Sequence, residues 1–209
     1  MNDRAEALGE RKSEPGSIVD LLAVREQTVA TCESLTAGLA AATIADTPGA
    51  SQVLLGGLIT YATEMKRALA GVHWKILRSF GPVSPESARA MAAGVRVRTG
   101  ATWGLALTGV AGPDPVTEPG FHEVGEVWVG IAGPALAGGA ADPAAPEAAG
   151  AVELAEELSA APEAAPQQSW SRAWRLQLVG DRAAIRRGAV AGALDLLWEQ
   201  ILAQDRSIQ

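Results

Sequence analysis

A serine, a tyrosine and a lysine of this 209-residue chain lie where side chains could carry out nucleophilic chemistry. Ser34 follows a short β-rich run, TVATC (28–32), and precedes an Ala-rich segment of helical character. A hydroxyl at such a strand-to-helix turn is near backbone N–H groups and the positive end of the helix dipole. That environment suits a nucleophile whose reaction generates an oxyanion, or a phosphate site. Capping of the helix by Ser34 or Thr36 is the simpler interpretation.

Lys66 is the candidate base, because serine is a poor nucleophile unless a neighbouring group accepts its proton. Three of the 17 basic residues are lysines, and an arginine cannot act as a base whereas a desolvated lysine can. Lys66 follows the apolar run VLLGGLITY (53–61), which ends in the only tyrosine, Tyr61. The Tyr61 hydroxyl could bond Lys66, orient a substrate or relay a proton. The alternatives are a surface lysine on a helix and a tyrosine at the margin of the core.

A second turn follows the apolar run WGLALT (103–108) and contains Thr108 and Gly109. The Thr108 hydroxyl and the adjacent N–H groups could bind a phosphate or a carbonyl oxygen. The chain contains no GxxxxGK[ST], GxSxG or GxGxxG motif, so the usual nucleotide loops and nucleophile elbow are excluded. Cys32 lies within a predicted strand and is expected to be a small buried hydrophobe.

Composition excludes several classes of protein. A hydrophobic share of 48% is too high for wholesale disorder, and no run of about 18 uncharged apolar residues predicts a membrane-spanning helix. The charged N-terminus lacks the apolar segment of a secretory signal. A single cysteine excludes an internal disulfide framework and favours the cytoplasm, and two histidines leave little room for a zinc site. A net charge of −7 argues against nucleic-acid binding.

Strand-like and helix-like segments alternate along the chain. The predicted strands are residues 28–32, 53–61, 103–108, 125–131 and 170–179. The predicted helices end near Arg25, Asp46, Leu69 and Arg98, with Thr63 and Ser84 as the predicted caps of the third and fourth. A last helix is capped by Asp181 and carries Ile185 and Leu194 on its apolar face. We therefore predict an α/β fold: a single three-layer α/β/α domain with a mixed, mostly parallel sheet, antiparallel at its last two strands. Ligands bind beyond the carboxyl ends of parallel strands, where the loops 33–38 and 108–113 lie.

Residues 134–168 separate the last two predicted strands and differ from the rest of the chain in composition. They hold one Asp, five Glu and no basic residue, so the remainder carries 17 basic and 18 acidic residues and is nearly neutral. Their Ala and Pro content offers few anchors for a core. The predicted organisation is a disordered tail over 1–15 and a domain over 16–205, interrupted by a flexible insertion at 133–168.

Four segments resemble, in order, the motifs of the C-terminal domain family of CinA, the nicotinamide-nucleotide amidohydrolases. The first two are CESLTAG (32–38), similar to AESCTGG, and GGLITYATEMK (56–66), similar to GGxxxYSNxxK. The next two are GPVSPESARAMA (81–92), similar to GAVSxxxxxxMA, and TGVAGP (108–113), similar to TGIAGP. GDRAAIR (180–186) also resembles a late family segment. The likeness runs from about Ser17 to Gln204, broken by the insertion.

This resemblance implies hydrolysis of the carboxamide of nicotinamide mononucleotide to nicotinate mononucleotide and ammonia, without metal or cofactor. Carried over by motif position, Ser34 is the nucleophile, Lys66 its general base and Tyr61 a partner of both, while helix-end N–H groups stabilise the oxyanion. The implied substrate-binding residues are Thr36, Gly38, Thr108, Gly109 and Gly112. We expect a small nucleotide substrate and a homodimer, and neither a nucleic-acid nor a membrane partner.

The chain departs from these motifs at two places. Leu35 and Ala37 replace the Cys and the first Gly of AESCTGG, and Ala37 adds a methyl where a backbone can approach a ligand closely. The loop 114–123 lacks the family's Gly pair and its Lys-Pro. These changes touch the predicted substrate loop. They leave two alternatives open: a non-catalytic nucleotide-binding module of the same fold, and a Ser/Lys amidase for another small amide.

Overall fold

The computed structural model describes residues 15–117, 120–134 and 169–206. The helices are α1 Pro15–Val24, α2 Leu39–Ala45, α3 Thr63–Ala70, α4 Trp74–Ser79, α5 Pro85–Thr99 and α6 Arg182–Arg206. The strands are β1 Val29–Glu33, β2 Leu54–Ile59, β3 Trp103–Gly109, β4 Glu126–Pro134 and β5 Ser169–Gln177. A short 3-10 helix, Ala50–Gln52, precedes β2.

The five strands form one mixed sheet in the order β2-β1-β3-β4-β5. Strand β1 pairs in parallel with β2 and β3, whereas β4 pairs antiparallel with β3 and β5. Four strands therefore run in one direction, and β4 is reversed because it follows β3 without a crossover helix. The predicted α/β sheet with an antiparallel part is confirmed.

Helices cover both faces of this sheet and give the three predicted layers. One cluster of buried apolar residues packs α1, α2 and α6 against the face that carries Leu105 and Ile131. A second cluster packs α3, α4 and α5 against the face that carries Cys32 and Ala106. Strands β1 and β3 are covered on both sides, which explains their nearly continuous apolar sequence. Burial of each large aliphatic side chain stabilises the fold by about 1.5–3 kcal/mol.

Capping residues set the helix ends that the sequence predicted most clearly. The Ser84 hydroxyl accepts the N–H of Ser87 at 3.1 Å at the start of α5, and Gly100 ends that helix with a φ of 70°. The Asp181 carboxylate accepts the N–H of Ala184 at 2.7 Å at the start of α6. Each of these side-chain caps bonds an N–H group three residues later, so the helix start can be predicted from the local sequence.

The structure differs from the sequence prediction at four places. Thr63 does not cap α3, since it is already helical and Ala62 occupies the N-cap without a side-chain bond. The helix Trp74–Ser79 was not predicted, because six residues are too few to show a helical period. Gly133 belongs to β4, so the predicted insertion begins too early in the sequence. Pro15 belongs to α1, so the predicted tail ends too late. The remainder of both segments, 1–14 and 135–168, lies outside the described residues.

Candidate active site

Ser34 and Lys66 meet beyond the carboxyl end of β1, although they are 32 positions apart in sequence. Lys66 Nζ lies 2.9 Å from Ser34 Oγ and donates to the Thr60 carbonyl oxygen at 2.9 Å. Both side chains are buried: Ser34 is 8% exposed and Lys66 only 2%. The structure thus brings together the two residues that the sequence assigned to one site, and their catalytic roles stay predictions.

The parallel pairing of β1 and β2 explains this meeting. Ser34 follows β1 directly, and its N–H donates to the Leu107 carbonyl of β3 at 2.9 Å. In β2, Ile59 lies opposite Glu33, so the chain that leaves β2 emerges beside Ser34 and enters α3 there. Lys66 is a buried residue of the first turn of α3, and its side chain therefore reaches back toward β1.

The buried environment changes the acid–base behaviour of Lys66. Burial lowers the pKa of Lys66 from 10.5 to about 8, and the nearby Glu64 carboxylate partly opposes this by favouring the charged amine. At pH 7 about one molecule in ten then carries a neutral amine, far more than for a solvated lysine. A neutral Nζ has a lone pair that can accept the proton of the Ser34 hydroxyl.

Glu33, the last residue of β1, holds the turn before α2. Its buried carboxylate accepts the N–H groups of Gly38, Ala40 and Ala41 at 2.9–3.0 Å and the Thr31 hydroxyl at 3.1 Å. An acidic group at a helix N-terminus is stabilising. The predicted helix-end oxyanion donors are therefore wrong, because Glu33 already occupies them. Capping of this helix by a serine or threonine is also wrong, since Gly38 is its N-cap.

Tyr61 follows Thr60, whose carbonyl binds Lys66, and its side chain is 55% exposed. Its hydroxyl accepts a hydrogen bond from Arg182 Nη2 at 2.7 Å, and Arg182 Nη1 also donates to the Gly112 carbonyl at 2.6 Å. The predicted partnership of Tyr61 with Lys66 is wrong, because Lys66 Nζ contacts Ser34 and the Thr60 carbonyl whereas the Tyr61 hydroxyl contacts Arg182. Sequence reasoning missed Arg182, whose only signal was its place in the family-like segment 180–186.

Arg186 lies one turn further along α6 and contacts the turn formed by residues 34–38, which we call the serine turn. Its Nε donates to the Leu35 carbonyl at 3.0 Å and its Nη2 to the Thr36 carbonyl at 2.7 Å. The Thr36 hydroxyl is buried and has no hydrogen-bond partner in the described part of the chain. Sequence reasoning gave Arg186 no role, because nothing local relates it to residues about 150 positions earlier.

Thr108 and Gly109 lie at the end of β3, next to the serine turn. The Thr108 hydroxyl donates to the Pro82 carbonyl at 2.7 Å. A Cβ atom on Gly109 would lie 2.4 Å from the Glu126 carbonyl oxygen, so β4 itself requires glycine there. Gly112 has a φ of 81°, which also favours glycine. The fold thus accounts for both glycines, and their contact with substrate stays a prediction.

Within residues 15–117, 120–134 and 169–206, no group of three or more His, Cys, Asp or Glu side chains could hold a metal ion. None of the helices described there combines the length and apolar character that crossing a bilayer requires. Cys32 is a free, buried thiol, and burial raises its pKa to about 12, so it is a protonated member of the core.

Comparisons with known proteins agree with this architecture. A family model, the CinA C-terminal domain, matches residues 12–144. A CinA-like protein of Frankia casuarinae is 49% identical over 119 residues, 57% of this chain and 27% of that protein. A CinA-like protein of Desulfovibrio desulfuricans is 49% identical over 114 residues, 54% of this chain and 26% of that protein. The chain spans about a quarter of the length of these curated relatives.

Solved structures match over nearly the whole length. The crystal structure of a competence/damage inducible protein from Agrobacterium tumefaciens has a TM-score of 0.68 at 25% identity, covering 93% of this chain and 94% of that chain. A CinA superfamily protein from Klebsiella pneumoniae has a TM-score of 0.70 at 22% identity, covering 93% and 99%. The second likeness shows the fold alone.

Proposed function

The chain belongs to the CinA C-terminal domain family, and we propose that it is a hydrolase that deamidates nicotinamide mononucleotide to nicotinate mononucleotide and ammonia. One observation carries the chemistry: the 2.9 Å contact between Lys66 Nζ and Ser34 Oγ in a buried site. The substrate comes from the motif resemblance, which includes the two segments that contain these residues. A cytoplasmic location and a homodimer belong to the same proposal.

Acylation begins from the neutral form of Lys66. Its amine accepts the hydroxyl proton of Ser34 while Oγ bonds to the carboxamide carbon, and the C=O electron pair moves onto oxygen. The tetrahedral intermediate then collapses: the C–N bond breaks, and the Lys66 ammonium gives its proton to the leaving nitrogen, which departs as ammonia. The acyl group remains as an ester on Ser34, and Lys66 is neutral again.

Deacylation repeats the same proton transfers with water. Lys66 accepts a proton from a water molecule whose oxygen bonds to the ester carbon. Collapse breaks the bond to Oγ, and Lys66 returns the proton to Ser34, which releases the carboxylic acid. One lysine therefore serves both half-reactions, and each ends with the enzyme in its starting protonation state.

The burial of Lys66 supports this role over a structural one. A lysine whose pKa is lowered from 10.5 to about 8 destabilises the folded protein near neutral pH by about 3 kcal/mol relative to a solvated lysine. A purely structural position would be filled more stably by an apolar residue of similar length. Buried, perturbed amines next to a hydroxyl in a cleft are typical of catalytic sites.

Arg182 supports a phosphorylated substrate. Its exposed guanidinium contacts two uncharged groups, the Tyr61 hydroxyl and the Gly112 carbonyl. Within the described ranges it makes no ion pair, so its charge is available to an anion. A planar guanidinium is well suited to binding phosphate oxygens.

Ammonia release from nicotinamide mononucleotide tests the proposal directly. We expect turnover by the wild-type protein, and loss of turnover in Ser34→Ala and Lys66→Met. Lys75→Met is the matched control, because Lys75 is an exposed lysine away from the site. Full activity in Ser34→Ala would overturn the mechanism. Nucleotide binding by calorimetry without hydrolysis would favour the binding module, and turnover confined to another amide in a substrate panel would replace the substrate.

A further inference from the structure

Attack by Ser34 requires a hydrogen-bond donor for the negative charge that develops on the substrate oxygen. Loss of one such donor typically lowers kcat by about 10²–10³-fold. The first N–H groups of α2, the obvious candidates, are occupied by the carboxylate of Glu33. The donor must therefore be a different group.

Two N–H groups of the serine turn have no acceptor in the part of the chain that the structure describes, those of Leu35 and Thr36. Their neighbours are both paired: the Ser34 N–H donates to the Leu107 carbonyl, and the Ala37 N–H donates to the Ser34 carbonyl at 3.1 Å. Leu35 and Thr36 are buried, and buried N–H groups without an acceptor are rare in folded proteins. Their presence beside a nucleophile indicates a place for an acceptor from outside.

Arg186 determines which way the Leu35–Thr36 peptide faces. Its Nε holds the Leu35 carbonyl at 3.0 Å, and in a trans peptide the following N–H points opposite to that carbonyl. The Thr36 N–H is therefore directed away from α6. Helix α6 packs on one face of the sheet, and α3, which carries Lys66, packs on the other. The N–H thus faces the side from which Lys66 approaches Ser34.

We infer that Arg186 is a positioning residue, which keeps the Thr36 N–H oriented as a donor to the oxyanion formed when Ser34 attacks a carbonyl. Arg186 does not touch the substrate. Its planar guanidinium holds two successive carbonyls, of Leu35 and Thr36, which a lysine ammonium cannot do with the same rigidity. The inference rests on the proposed Ser34 chemistry and not on the identity of the amide.

Steady-state kinetics of variants at this position provide the first test. In Arg186→Met we expect kcat for ammonia release to fall about 10²-fold with KM changed by less than about twofold, because the lost interaction forms only in the transition state. Arg186→Lys should be intermediate. Arg187→Met is the matched control, an exposed arginine on the same helix, and should leave both constants unchanged.

Chemical rescue separates positioning from mere support of the fold. In Arg186→Ala, guanidinium at millimolar, non-denaturing concentration should restore part of kcat, while its melting temperature stays unchanged by the additive. A folded Arg186 variant with the wild-type kcat would overturn the inference. So would a change confined to KM, or the absence of any rescue.

Phosphonylation of Ser34 by a fluorophosphonate separates this inference from the proposed function, since the reagent forms a tetrahedral adduct without an amide substrate. Labelling should be absent in Ser34→Ala and about 10²-fold slower in Arg186→Met. This result in a protein that does not deamidate nicotinamide mononucleotide would reject the proposed substrate and retain the inference. Equal labelling rates in Arg186→Met and wild type would reject the inference alone. Neither labelling nor hydrolysis in the wild type would reject both.

Discussion

The amine of Lys66 and the hydroxyl of Ser34 are held 2.9 Å apart by the parallel pairing of β1 with β2, which places the start of α3 beside the end of β1. The Thr60 carbonyl fixes the amine from the other side at 2.9 Å. Neither residue depends on a flexible surface loop, since one directly follows a buried strand and the other lies in the first turn of a helix. Such rigid positioning is what proton transfer between the two requires.

The pH dependence of kcat/KM should follow the protonation of Lys66. Burial lowers the pKa of Lys66 to about 8, so kcat/KM should rise about tenfold per pH unit below pH 8 and level off above it. Initial rates of ammonia release between pH 6 and 9.5 measure this profile. A profile that is flat across this range would exclude Lys66 as the base.

Lys66→Met should abolish activity and stabilise the fold. Between about pH 8 and 10.5 the unfolded lysine holds a proton that the folded one has lost, so wild-type stability rises with pH across this window. We expect the variant to be more stable by about 1–3 kcal/mol at pH 7, with the difference shrinking toward pH 10.5. Urea unfolding at both pH values measures it.

That comparison also controls for a second group whose pKa burial shifts, the thiol of Cys32. Burial raises the pKa of the Cys32 thiol to about 12, so Cys32 lowers wild-type stability as pH rises above about 9. Because both proteins contain Cys32, its contribution largely cancels in the difference. A variant less stable than wild type at pH 7 would contradict the prediction.

Arg182→Met should weaken binding of a phosphorylated substrate. Loss of a charge-assisted hydrogen bond of about 1.5–3 kcal/mol corresponds to about a 10- to 100-fold rise in KM, with kcat little changed. Arg182→Met should raise the KM of the nucleotide but not that of the nucleoside, since only the nucleotide has a phosphate that can bond the guanidinium. An equal response of the two substrates would show that Arg182 does not bind the phosphate.

Glu33→Gln should destabilise the turn that carries the nucleophile. The carboxylate accepts four hydrogen bonds, and a neutral amide retains only one accepting oxygen and introduces donors that face other donors. We expect a loss of about 2–4 kcal/mol in the free energy of unfolding. Glu123→Gln is the control, an exposed acidic residue outside the helices. A loss below about 0.5 kcal/mol would mean that the network contributes little.

Ala37→Gly should stabilise the protein slightly, by about 1 kcal/mol. Ala37 has a φ of 50°, in the left-handed region where a Cβ atom is disfavoured and glycine is not. The family motif has glycine at this position. The free energy gained by relieving the strain is only modestly larger than the entropic cost of ordering a glycine. Thermal unfolding of the variant measures it, and a lower melting temperature would contradict the prediction.

Much of the fold could be predicted because its signals are local. Continuous apolar runs predicted strands buried on both faces, and Ser84 and Asp181 predicted helix starts. The membership of Ser34 and Lys66 in one site also followed from sequence, through their positions after neighbouring strands and the motif resemblance. Each of these inferences depends on residues within a few positions of one another, or on the general rule for the carboxyl ends of parallel strands.

The two arginine contacts of the site were decided only by the packing of α6. Its apolar face predicted burial of Ile185 and Leu194, but not which carbonyls its polar residues would meet. Arg186 bonds Leu35 and Arg182 bonds Tyr61 across 151 and 121 positions, and such hydrogen bonds depend on the docking of a whole helix. Sequence therefore determined which side chains could react, and the tertiary structure decided their partners, because long-range hydrogen bonds require a geometry that no local pattern encodes.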